Sequence, residues 1–151
     1  MTARHLIDIA ATLLLGLACV AATGCASRPD VGIDTTGSVR LDGTPLEMGM
    51  VVFAPADGGE SRSGTVQTDG TFRLYAIKPG RYRVGVQTSM FAGMAAAADK
   101  ARAAGDSRPF SMREVKGTFR AVAKKVEDPQ TSGLELDVQP GAALVIDLSS
   151  K

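Results

Sequence analysis

The chain has 151 residues, enough for about one domain. Its 17 Lys and Arg nearly balance its 16 Asp and Glu, for a formal net charge of +1. That balance lacks the basic excess that nucleic-acid binding requires, so nucleic acid is not an expected partner. Glycine is frequent, tryptophan is absent and no internal repeat is visible. Gly-rich turns between short apolar runs point to an all-β protein.

The first 24 residues read as an export leader. Arg4 supplies a basic start, and residues 9–22 form an apolar run. That run is shorter than the roughly 18–20 residues a membrane-spanning helix needs. Asp8 departs from the pattern, since an acid borders the apolar stretch. The run "AATGC" resembles a bacterial lipobox, with Ala22 where a larger aliphatic residue is commoner. The resemblance implies cleavage before Cys25 and attachment of a diacylglyceryl thioether to its sulfur. Plain secretion with a chance cysteine, or an uncleaved N-terminal anchor, are the alternatives. Removal of the leader takes Cys19 and the one histidine, His5, with it. Cys25 is then the sole cysteine, so no intrachain disulfide can form. The chain contains no Asn, which excludes an N-x-Ser/Thr glycosylation site.

Residues 25–36 are polar and aperiodic and read as a tether. Val39 and Leu41 alternate around Arg40, and Asp42-Gly43 is a hairpin signal. Residues 48–53 form an apolar run expected to be a central strand. Residues 56–64 read as a loop. Val66, then Asp69-Gly70, then Phe72 and Leu74 alternating with Thr71, Arg73 and Tyr75, repeat the hairpin pattern. Pro79-Gly80 is a turn, followed by Tyr82, Val84 and Val86 on one face and Arg81, Arg83 and Gly85 on the other.

An insertion at about residues 89–120 breaks this rhythm. Its alanines predict a helix over residues 95–104 ended by Gly105. Phe119 and Val122 are compatible with a strand. Residues 134–138 alternate, Pro140-Gly141 turns, and a last strand closes the domain. The expected fold is an all-β, seven-stranded antiparallel sandwich over residues 37–150 with a short helical insertion.

Three stretches resemble the transthyretin-like, carboxypeptidase-regulatory-like domains, and in particular small planctomycete-type lipoproteins of that fold. They are "GSVRLDGTPLEMGMVVFAP", "TDGTFRLYAIKPGRYRVGV" and "EDPQTSGLELDVQPGAALVIDL". The matching residues are Gly37, Val39, Asp42, Gly43, Pro45 and Leu46, then Thr68, Asp69, Gly70 and Phe72. Pro79, Gly80, Tyr82 and Val84 follow, then Asp128, Pro129, Thr131, Ser132 and Leu134. Val126 stands where the group usually has an aromatic residue. The resemblance implies an immunoglobulin-like, Greek-key sandwich that serves as an accessory or interaction module, and it implies no activity.

Chemistry is sparse. Once the leader is removed, no histidine remains for a Ser/His/Asp or Cys/His site or a His-ligated zinc. Hydroxyisourate hydrolases and intradiol dioxygenases, the enzymes of related fold, both use histidines. Asp57 and Glu60 provide oxygen ligands for calcium but fall short of the six to eight a site needs, and Glu127-Asp128 is a similar pair. No metal or cofactor is expected. In the insertion Lys100, Arg102, Arg108, Arg113, Lys116 and Arg120 outnumber the acids. They are a candidate binding surface for anionic headgroups or an acidic polymer, though the expected reading is a solvated loop kept soluble by its charge. Lys124 and Lys125 read as guards of an edge strand.

The expected role is a non-enzymatic, lipid-anchored module of the bacterial cell envelope that binds a protein or polysaccharide. Alternatives are a secreted soluble form, a structural component assembling through strand edges, and an enzyme subunit using only Asp, Glu, Arg, Lys or Ser.

Overall fold

A computed structural model describes residues 32–105 and 116–150. The leader, Cys25, Arg108 and Arg113 lie outside the described residues. The described chain forms eight strands and two helices. The strands are β1 (Ile33–Leu41), β2 (Thr44–Pro45), β3 (Gly49–Pro55), β4 (Arg62–Val66), β5 (Thr71–Ile77), β6 (Gly80–Gln87), β7 (Leu134–Val138) and β8 (Leu144–Leu148). Between β6 and β7 come α1 (Ser89–Ala103) and α2 (Lys124–Glu127).

Two sheets share one core. In the first, β1 is central, with β5 and β2 along one edge and β8 along the other. The second runs β4-β3-β6-β7. Period-two alternation supplies the inner faces. Val39, Leu41, Phe72, Leu74, Leu144, Ile146 and Leu148 from the first sheet meet Val51, Phe53, Val66, Tyr82, Val84, Val86 and Val138 from the second. Phe53 is the hub, with ring centroids 6.0 Å from both Phe72 and Tyr82.

Four expectations change. The eighth strand is β2, which closes the Asp42-Gly43 hairpin. Both turn residues have positive φ, 52° and 77°, the type I′ geometry that matches strand twist. The sandwich is not wholly antiparallel, because β8 pairs with β1 in parallel, Gly37 opposite Leu144 through Leu41 opposite Leu148. Asp69-Gly70 is not a hairpin turn: β4 belongs to the second sheet and β5 to the first, so this turn passes between sheets. Asp69 still builds the turn, its carboxylate accepting from the Thr71 N–H at 2.9 Å and from the Thr71 hydroxyl at 2.7 Å. Finally, β1 begins at Ile33, inside the segment read as a tether. Thr35 is polar yet buried there, its hydroxyl donating to the Ala142 carbonyl at 3.2 Å. A satisfied threonine hides a strand from a pattern based on apolar residues.

The insertion also differs. Helix α1 starts six residues before the expected Ala95, at Ser89. Residues 116–123 carry no strand, and Val122 reaches the core from irregular chain. The segment after α2 lies on the outer face of β6. At Gly85 a Cβ would sit 2.7 Å from the Glu127 carbonyl oxygen and from Pro129 Cδ, so only glycine admits this approach. Asp128 shapes the turn that follows by accepting from the Gln130 N–H through its side chain and from the Thr131 and Ser132 N–H groups through its carbonyl. Arg83 donates to Gln130 Oε1 at 2.8 Å and pins the turn to the sheet.

The strands give the sandwich two ends. At one end β1 begins, β5 ends and the β5–β6 turn lies. At the other end β6 finishes beside the start of β3 and leads into α1.

Candidate functional site

A groove of about 570 Å³ crosses the outer face of the first sheet. Alternation builds it. On β1 the outward residues at its centre are short, Thr36 and Ser38. On β5 the outward residues are Thr71, Arg73 and Tyr75, and on β8 the outward neighbour is Val145. Arg73 lies opposite Thr36, while Ser38 lies opposite Thr71 on one side and Val145 on the other. Short side chains on the middle strand between longer ones on its neighbours make a trough.

Tyr75 is 61% exposed and Val145 51% exposed, two of the four large apolar side chains exposed among the described residues. A bulge sets the place of Tyr75. Ile33 pairs with Ile77 and Thr35 with Leu74, so Tyr75 and Ala76 together oppose Asp34. Ala76 takes φ of +50°, a left-handed conformation uncommon for alanine. Its N–H donates to Asp34 Oδ1 at 3.1 Å, which holds the bulge closed. Arg73 makes no ion pair among the described residues.

A second depression, about 500 Å³, lies at the end where β1 begins. Asp57, Glu60, Arg62, Lys78, Arg81 and Tyr82 line it. Glu60 is paired with Arg62 at 3.2 Å. Tyr82 donates its hydroxyl hydrogen to the Lys78 carbonyl at 2.9 Å. Burial lifts its phenol above the ordinary range, against the lowering effect of that hydrogen bond. Among the described residues no three His, Cys, Asp or Glu side chains converge as a metal site would require.

Four of the six basic residues of the insertion's candidate binding surface, Lys100, Arg102, Lys116 and Arg120, fall among the described residues. Lys100 and Lys116 are exposed. Arg102 pairs with Asp99 one turn earlier on α1 and lines a cleft of about 310 Å³ against residues 117–119. Arg120 turns inward, donating to the Leu41 carbonyl at 3.1 Å and lying 3.6 Å from Asp42. It braces the β1–β2 hairpin.

Glu127 has a structural task. Helix α1 has no side-chain cap of its own at Thr88. Glu127 Oε1 accepts instead from the Thr88 N–H at 2.9 Å, the Ser89 N–H at 2.7 Å and the Thr88 hydroxyl at 3.2 Å. Thr88, itself buried, accepts from the Val122 N–H at 3.1 Å. Desolvation raises the carboxyl's pKa, but the hydrogen bonds from Thr88 and Ser89 outweigh it and leave the group below its ordinary value. A carboxylate at a helix N-terminus also complements the helix dipole.

Sequence reasoning placed Arg73 and Tyr75 outward but gave them no role. The available signal was an aromatic residue at an outward strand position. The bulge that shapes its surroundings has no such signature, because Ala76 is not glycine. No protein-family model, curated protein or solved structure matches the chain. Among the described residues no helix is long and apolar enough to cross a membrane.

Proposed function

We propose that this chain is an exported, lipid-anchored β-sandwich of the bacterial cell envelope that binds a protein or polysaccharide and catalyses no reaction. In this reading the sandwich is Greek-key and transthyretin-like, and the crossings between sheets at β4–β5 and β5–β6 support that assignment. The observation that carries the binding role is the groove flanked by exposed Tyr75 and by Arg73, which has no ion-pair partner among the described residues. An exposed aromatic beside a free cation is a feature of recognition surfaces.

Fractionation of cells expressing Cys25→Ser tests the anchor. The native chain sediments with membranes and the variant is soluble. A variant that stays with the membranes contradicts the reading.

A further inference from the structure

We propose that the groove on the outer face of the first sheet binds an acidic polysaccharide, with one sugar ring stacked on Tyr75 and a carboxylate of the chain held by Arg73. The proposal rests on the reading of the protein as a binding module and names the ligand class.

Four observations converge. Tyr75 presents an aromatic face to solvent at 61% exposure, a platform for the C–H face of a pyranose. Arg73 has no ion-pair partner among the described residues, and its planar fork matches a carboxylate with two parallel hydrogen bonds. The two are two positions apart on one face of β5, about 6.6 Å along the strand, so one ligand can meet both. The floor and rim between them carry hydroxyls and an amide, from Thr36, Ser38, Thr71 and Gln67, suited to sugar hydroxyls.

The same features argue against other occupants. A protein interface of ordinary size buries about 800 Å² per partner around an apolar centre. Here the exposed apolar groups are one tyrosine and one valine, set among hydroxyls. Nucleic acid requires a row of cations, and the groove lining contains a single one, Arg73. Arg40, on the same face, lies opposite Asp147 in the strand register and outside the groove lining.

The test is affinity electrophoresis of the full-length, detergent-solubilised protein in gels containing polygalacturonate, with dextran as the neutral comparator. Polygalacturonate retards the native protein and dextran does not. Tyr75→Ala and Arg73→Gln each weaken the interaction about tenfold or more, and Tyr75→Phe stays near native. Retardation by polygalacturonate falls from 0.1 M to 1 M salt, as the screening length shrinks from about 10 Å to about 3 Å. Both side chains are exposed, and thermal melting confirms that the variants fold.

The proposal is overturned if polygalacturonate does not retard the native protein, if dextran retards it equally, or if either variant binds as the native protein does. Self-association that depends on Tyr75, without retention by polymer, assigns the face to a second copy and also overturns it. None of these results touches the anchor reading, which the Cys25→Ser fractionation tests separately.

Discussion

At the scale of the residue, the outer-face groove depends on an alanine in a conformation that favours glycine. Ala76 at φ +50° costs about 1 kcal/mol, offset by its hydrogen bond to Asp34 and the pairing around it. Ala76→Gly relieves that cost but loosens the unfolded chain, for a net gain of about 0.5 kcal/mol. The expected result is a melting temperature raised by about 2 °C. A lower melting temperature contradicts the strained bulge. Glu127 gives a second prediction at this scale. Removing its cap with Glu127→Ala costs about 1–2 kcal/mol. Because its folded pKa is lowered, the stability it contributes is present at neutral pH and declines as pH falls below the ordinary glutamate value of about 4.3 and through the folded value. Urea midpoints followed from neutral to acid pH should fall less steeply for Glu127→Gln than for the native protein. Parallel curves contradict the assignment.

At the scale of the element, much was legible in the sequence because alternation and turn chemistry agree. Val39 and Leu41, Phe72 and Leu74, and Tyr82, Val84 and Val86 all face inward, as period two requires. Asp42-Gly43 forms the hairpin it signals. Asp69-Gly70 has the same dipeptide signal and a different outcome, since a local turn does not determine which sheet receives the next strand. The start of β1 was hidden by Thr35, and the reach of α1 back to Ser89 by Glu127, whose capping contacts span 38 and 39 residues. The "EDPQTS" stretch, Glu127 to Ser132, proves to be a local device, a cap and a turn fastened over Gly85. Gly85→Ala therefore forces apart two backbones and should destabilise by about 1–3 kcal/mol. Amide exchange should show α1 losing protection more than β3 does, because the displaced segment carries the helix cap. Uniform loss of protection in both elements contradicts that coupling.

At the scale of the molecule, the stabilising core and the proposed recognition surface occupy different faces of the first sheet. The sheets hold together through their inner surfaces, with Phe53 fully buried between Phe72 and Tyr82. Phe53→Ala should cost about 3–5 kcal/mol in chemical denaturation, a large share of the stability of a domain this size. The outer face of the first sheet contributes little to that core, so Arg73 and Tyr75 are free to serve a ligand. The candidate groove was less legible than the fold, because it combines three strands brought together by long-range pairing, including the parallel pairing of β8 with β1. Alternation shows which residues face outward and does not show which outward residues become neighbours. The central claim is that this sandwich is held to a membrane by lipid on Cys25. Mass spectrometry of the protein purified from membranes tests it most directly. The account predicts a mature chain that begins at Cys25 and carries a diacylglyceryl thioether. A mature N-terminus elsewhere, or an unmodified Cys25, contradicts it.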